Sequence, residues 1–154
     1  MRSFFVEIGA INNLKKMIQD QIPSTKKEVI PLNLAGRVVI ITGASDGMGK
    51  CAVKHLFDMG ARIILACRSQ EKTMKVMEEI RMSSGNKDAM MEYIPLDLND
   101  LDSVREFVKT FLAKNIPLHA LICNAGIWAS EKKNTKQGFE ATYQVNHLSH
   151  FLSK

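Results

Sequence analysis

Residues 38–49 read Val-Val-Ile-Ile-Thr-Gly-Ala-Ser-Asp-Gly-Met-Gly, and the fold turns on how they are interpreted. Val38 to Ile41 is an unbroken β-branched run of the kind a parallel strand buried on both faces requires, and the strand ends at Thr42. Glycines at 43, 47 and 49 follow. A helical pattern then runs from Gly47 to Met59, with Ala52, Val53, Leu56 and Phe57 on one face. A second apolar strand, Ala61 to Cys67, comes directly after it. Strand, glycine-rich turn, helix and strand in this order form one unit of a parallel α/β sheet.

The same alternation continues downstream. A helix is predicted from Gln70 to Met82, a break at Ser83 to Asn86, and a third strand from Met91 to Leu96. Beyond Asn99-Asp100, the residues Leu101, Val104, Phe107, Val108, Phe111 and Leu112 give a wide apolar helical face. Pro117 precedes a fourth strand, Leu118 to Cys123. A polar loop over residues 130–136 leads into a last helix from about Gly138 to Phe151. Strict alternation of strand and helix predicts the α/β class, a parallel sheet and right-handed crossovers. No internal repeat, low-complexity tract or acidic block interrupts it.

Upstream, Phe4, Ile8, Ile11, Leu14, Ile18 and Ile22 fall at helical spacing, with Lys15, Lys16 and Asp20 off that stripe. This amphipathic lead helix has two readings. It packs on the domain or frays, or residues 4–22 make peripheral contact with a membrane surface or act in targeting, though Glu7 and Asp20 weigh against a transit peptide. Pro23, Ser24 and Pro31 mark a linker, so residues 1–36 are a lead segment and 37–154 the domain. No window approaches the roughly 20 apolar residues that a membrane span needs.

At 154 residues and 45% hydrophobic, the chain can support a single core. The net charge of +5 suits an anionic ligand or membrane lipid and selects neither. The lysine pairs at 15–16, 26–27 and 132–133 lack the interleaved aromatics of a nucleic-acid surface, and no nucleic-acid partner is expected. Cys51, Cys67 and Cys123 are odd in number and lie in or beside apolar stretches, so buried, reduced thiols are expected. That places the chain in the cytoplasm or another reduced intracellular compartment, membrane-associated if the lead helix lies on lipid, and not secreted.

The turn itself carries chemistry. Gly43 permits a tight bend, Gly47 lets backbone approach a pyrophosphate, and Gly49 allows close packing of helix on sheet, with helix N-terminal amides facing the phosphate charge. A purely structural glycine turn would not need the strand before it and the helix and strand after it. In a Rossmann site selective for NAD, an acid at the end of the second strand holds the ribose 2′-hydroxyl. Cys67 and Arg68 stand there instead. Without that carboxylate a 2′-phosphate is not repelled, and the Arg68 guanidinium can grip it, so NADP(H) is favoured over NAD(H). Lys50 and Lys72 are candidate second cations. Asp97, after the third strand, could accept from an adenine amino group or simply favour the following helix start. Asn124-Ala125-Gly126 follows the fourth strand, where small residues let backbone approach ribose and nicotinamide. His147 and His150 have no third ligand at sensible spacing, so no metal site is expected and both read as ordinary helix histidines. No nucleophile and base are spaced for hydrolysis.

Taken together, Thr42 to Gly49, Arg68, Asp97-Leu98, Asn124-Ala125-Gly126 and Asn146 resemble the classical short-chain dehydrogenase/reductase family over residues 37–151. The stretches 64–68, 117–126 and 144–148 are similar to its retinol dehydrogenase and WW-domain oxidoreductase branch. The resemblance implies a redox enzyme that uses NADP(H) or NAD(H) on small lipophilic alcohols or carbonyls, retinoid- or steroid-like among them. It implies that Gly43, Ser45, Asp46, Gly47, Met48 and Gly49 form the pyrophosphate turn, that Arg68 meets the adenosine phosphate, and that Asp97 and Leu98 meet the adenine. Asn124, Ala125 and Gly126 would face ribose and nicotinamide, and Asn146 would be the catalytic-helix asparagine that holds a water in the proton relay.

The family also requires a Ser and a Tyr four residues before a Lys. Tyr93 and Tyr143 are followed at that distance by Asp97 and His147. The expected fold is therefore a three-layer, doubly wound Rossmann-type sheet of strand order 3-2-1-4, truncated, with strand four left as an edge. Two functions follow from this reading: an incomplete oxidoreductase chain that binds cofactor weakly without turnover, or a non-catalytic nucleotide-binding or protein-interaction module. The open edge leaves a homo-oligomer available.

Overall fold

β1 (Val38–Thr42) is buried along its whole length, as its β-branched run predicts. The computed structural model describes residues 32–86, 88–128, 131 and 133–153. The chain divides into two units, Met1–Pro31 and Leu32–Lys154, and the amphipathic stretch 4–22 with Pro23, Ser24 and Pro31 lies outside the described residues.

β1 leads into α1 (Gly47–Asp58), β2 (Arg62–Cys67), α2 (Gln70–Ser83), β3 (Met91–Pro95), α3 (Leu101–Leu112) and β4 (Ala120–Ile122). The strands form one parallel sheet in the order β3-β2-β1-β4, as expected. Ile40 pairs with Ile64 on one side and Leu121 on the other, which places β1 at the centre.

Alternation along β1 and β2 sorts the core into two layers. Val39, Ile41, Ile63 and Leu65 pack with Val53 and Phe57 of α1 and with Val76, Met77 and Ile80 of α2. Val38, Ile40, Ile64 and Ala66 pack on the opposite face with Val104, Phe107 and Phe111 of α3. Helices on both faces make the three-layer arrangement. Side chains such as Phe57 and Phe107, each about fully buried, contribute roughly 1.5–3 kcal/mol apiece in transfer free energy.

Polar caps set the helix starts. The Ser69 hydroxyl accepts the Lys72 amide of α2, and the Asp100 carboxylate accepts the Asp102 amide of α3. Gln137 and Lys136 also donate to Asp100, which together hold its carboxyl below the usual carboxylate range and tie the loop over residues 133–138 to the start of α3.

The structure departs from the expected elements in three places. β4 is shorter than Leu118–Cys123 because it is an edge strand with pairing on one side only. Leu112, placed on the buried face of α3 by its spacing, is 67% exposed; the stripe is narrower, through Leu101, Val104, Phe107 and Phe111. The last helix, α4, begins at Ala141 rather than Gly138. Gly138 adopts φ +84° in a turn closed by the Asn134–Glu140 bridge, and Glu140 then caps the helix through the amides of Thr142 and Tyr143. α4 is also not uniform: an α-turn Ala141–Tyr143 passes into a π-turn Gln144–Leu148 and returns to α-helix at Ser149–Leu152. Among the described residues no helix is long and apolar enough to cross a membrane.

Candidate functional site

The carboxyl ends of β1, β2, β3 and β4 meet around a cleft of about 290 Å³. Its lining brings together Gly43, Ser45, Arg68, Asp97, Leu98, Ala125 and Gly126, all singled out from sequence, with Lys72, Asn99, Ile127 and Val145. This is the crevice outside the strand ends in which open α/β sheets bind ligands.

The glycine turn is built for close approach. Gly43 has φ +64°, and a β-carbon there would stand 2.8 Å from both Cα and Cβ of Ala125, so the turn after β4 rests directly on the turn after β1. Gly47 has φ +51°, with nothing within 4 Å of the position its β-carbon would take. That is open space at the start of α1, where first-turn amides lack intrahelical partners. Gly49 serves a different contact from the one expected. Its missing β-carbon would meet the Gly43 carbonyl oxygen at 2.5 Å and Asn124 Nδ2 at 2.6 Å, so it clears room for the turn itself rather than for the sheet. Met48 is 83% exposed, and the Asp46 carboxylate accepts from the Gly47 amide at 2.7 Å.

Cys67 is buried, and its sulfur accepts from the Ala44 amide at 3.2 Å, which ties the glycine turn to the end of β2. Arg68, next in line, is exposed on the cleft rim with no ion-pair partner among the described residues. Lys72 lines the same rim. Lys50, the other candidate cation, does not: it pairs with Glu79 of α2, and that hydrogen bond raises its pKa. Cys51 and Cys123 are exposed, contrary to the expectation of buried thiols, because they sit on the outer face of α1 and just past the edge strand.

Opposite Arg68, Asp97 Oδ1 accepts from the Asn99 amide at 2.9 Å, forming a turn that presents Asp97 and Leu98 to the cleft. The Leu98 carbonyl accepts from the buried Gln144 Nε2 at 3.0 Å and from Ser149 Oγ at 2.7 Å, the first residue of the π-turn of α4 and the residue just after it. Asn124 Nδ2 donates to the carbonyls of Thr42 and Gly43 at 2.9 and 3.2 Å. Asn146, inside the π-turn, binds Ile127 in both directions, with Oδ1 accepting the Ile127 amide at 2.8 Å and Nδ2 donating to its carbonyl at 3.0 Å. The side chain thus holds the loop after β4. π-turns inside α-helices recur at functional sites.

Spacing makes both His147 and His150 ordinary helix residues, and the structure separates them. His147 is exposed and stacks near Tyr143 with ring centroids 5.5 Å apart, but His150 is buried, and Nε2 lies 2.9 Å from the Thr42 hydroxyl oxygen. Burial pushes its pKa below the usual histidine range. Neither His150 nor the Gln144–Leu98 contact had a signal in sequence, since both depend on which side of α4 faces the sheet. Among the described residues no three His, Cys, Asp or Glu side chains cluster as a metal site would require.

Comparison with known proteins bears on what this cleft is. A model of the short chain dehydrogenase family matches residues 37–153. Human retinol dehydrogenase 11 is 46% identical over 148 residues, covering 96% of this chain and 44% of that protein. Zebrafish (Danio rerio) WW domain-containing oxidoreductase is 42% identical over 120 residues, covering 78% of this chain and 29% of that protein. The chain therefore spans less than half the length of these relatives. Among solved structures, a metagenomic short-chain oxidoreductase in complex with NADP superposes with a TM-score of 0.66 at 30% identity, covering 79% of this chain and 54% of that one.

Proposed function

Because the chain belongs to the short chain dehydrogenase family, we propose that its cleft binds NADP(H) in the service of an oxidoreductase acting on alcohols and carbonyls. The observation that carries this reading is the rim at the end of β2. Cys67 turns its sulfur inward to the Ala44 amide, and Arg68 stands free of ion pairs among the described residues, with Lys72 beside it. Two cations and no carboxylate at that point favour a 2′-phosphate.

The residues present fit the group. Open space over Gly47 accommodates a pyrophosphate against backbone amides, Asp97 and Leu98 would meet the adenine, and Asn124, Ala125 and Gly126 would line the ribose and nicotinamide side. When bound, the nicotinamide supplies or accepts hydride. Asn146 is assigned to the relay helix, positioned by its paired bonds to Ile127. As substrate we propose a small lipophilic alcohol or carbonyl of the retinoid kind, in keeping with the similarity to human retinol dehydrogenase 11.

Arg68→Ala tests the cofactor preference. A charge-assisted phosphate contact is worth about 1.5–3 kcal/mol, so NADPH affinity should fall about tenfold or more while NADH affinity stays nearly constant. Titration calorimetry resolves the difference; equal affinity of the unaltered chain for the two cofactors would contradict the reading.

Binding and turnover separate in these 154 residues. Hydride transfer to a carbonyl needs a proton donor within about 3 Å of the developing charge. Tyr93 is on β3, and burial raises its pKa, with Cys67 adding to the effect, the opposite of what a tuned acid/base needs. Tyr143 is 52% exposed and has His147 rather than Lys four residues on. The 154-residue chain alone is therefore expected to bind NADPH without oxidising it in the presence of retinal, a steroid ketone or an aromatic aldehyde. Steady loss of NADPH absorbance that survives repurification and vanishes in Asn146→Ala would show the opposite.

A further inference from the structure

We propose that His150 is a positioning residue of the cofactor cleft, which holds the Asn124–Ala125 turn in place by taking the single proton of the Thr42 hydroxyl. The inference concerns the cleft assigned above to NADP(H), and its effect on affinity rests on that assignment.

The argument is a count of lone pairs. Thr42 Oγ1 is fully buried and accepts the amides of Asn124 and Ala125, each at 3.0 Å, the former shared with the Ile122 carbonyl. A hydroxyl has two acceptor lone pairs and one proton, so both acceptor places are filled. The proton then needs an acceptor. The Ile122 carbonyl lies at 3.5 Å and His150 Nε2 at 2.9 Å, so the proton goes to the imidazole. Nε2 must therefore be unprotonated, and the ring proton sits on Nδ1, which faces the Asn146 carbonyl oxygen at 3.4 Å. The tautomer follows from the backbone amides, two hydrogen bonds removed from the ring through Thr42.

What this hub controls is the cleft wall. Ala125 lies against Gly43, close enough that one added carbon on Gly43 would stand 2.8 Å away, and Ala125 and Gly126 line the cleft. If Nε2 ceases to accept, the Thr42 hydroxyl proton turns toward a poorer partner and the two amides lose their shared anchor. The histidine touches no part of the cleft itself and acts through Thr42.

Nitrogen-15 NMR of the unaltered chain reads the tautomer directly. A protonated Nδ1 with a bare Nε2 is expected; a protonated Nε2 would overturn the proposal. Hydrogen exchange at the Asn124 and Ala125 amides tests the consequence. In His150→Phe exchange should quicken at both amides and NADPH affinity should fall about tenfold, whereas His150→Gln, whose side-chain carbonyl can reach the Nε2 position, should restore most of both. Unchanged exchange in a folded His150→Phe, or equal losses in the Phe and Gln variants, would overturn the proposal. If His150→Phe does not fold, the tautomer decides. If the unaltered chain does not bind NADPH, the cofactor assignment fails, while exchange and tautomer still decide the role of His150.

Discussion

Gly43→Ala is expected to remove a large part of the stability of the domain, whereas Gly47→Ala, four residues on, is expected to remove little. Both glycines adopt positive φ, +64° and +51°, which costs an alanine about 1–2 kcal/mol. At Gly47 the cost ends there, because the space is open. At Gly43 the new carbon meets Ala125 Cα at 2.8 Å and Ala125 N at 3.2 Å, which are backbone atoms that cannot rotate away. Overpacking of that kind adds about 1–3 kcal/mol, for a total of about 2–5 kcal/mol against a typical domain stability of roughly 5–15 kcal/mol. Urea denaturation of the two variants beside the unaltered chain measures the contrast. Similar midpoints for both would mean that the turns after β1 and β4 do not touch as described. NADPH titration should show the reverse emphasis at Gly47, where a methyl group intrudes on the open space over the helix start even though the fold tolerates it.

Thr42→Val should cost about as much, through hydrogen bonding rather than packing. Valine keeps the shape and removes the oxygen. The Ala125 amide and His150 Nε2 then lose their partner, while the Asn124 amide keeps the Ile122 carbonyl at 3.0 Å. Each buried polar group left unsatisfied costs about 1–3 kcal/mol, so the two together are expected to cost about 2–6 kcal/mol. Thr42→Ser retains the hydroxyl and gives up one methyl, for about 1 kcal/mol. Chemical denaturation of the pair separates the two contributions, and equal losses in Val and Ser would mean that the methyl group, not the hydroxyl, matters.

These two sites mark the boundary between local and tertiary information. The β-branched run at Val38–Ile41, the glycines at 43, 47 and 49, and the alternation of apolar periodicity decide element type locally, and the structure places them as the text implies. Strand order 3-2-1-4 came from the resemblance to the short-chain dehydrogenase/reductase family, because right-handed crossovers alone leave several arrangements of four parallel strands open. Arg68 without an acid beside it was visible from the alternation: the end of β2 is a fixed address relative to the glycine turn.

Contacts set by the facing of one element on another were a different matter. Whether a cation reaches the cleft depends on the rotation of its helix, which gives Lys72 to the rim and Lys50 to Glu79. Whether a histidine is a surface residue or a buried hydrogen-bond acceptor depends on which side of α4 meets the end of β1, and the π-turn at Gln144–Leu148 shifts that phase by part of a turn. Cys51 and Cys123 lie among apolar neighbours in sequence yet face outward. The sequence by itself determined the parallel α/β sheet, the glycine-rich turn and the cation at the end of β2, since each rests on periodicity or on the backbone freedom of named residues. Only the tertiary structure decided that Gly49 makes room for Asn124, that Asn146 clasps Ile127, and that the Thr42 hydroxyl meets His150, because those contacts join residues 19 to 108 positions apart and exist only once helix and sheet have packed.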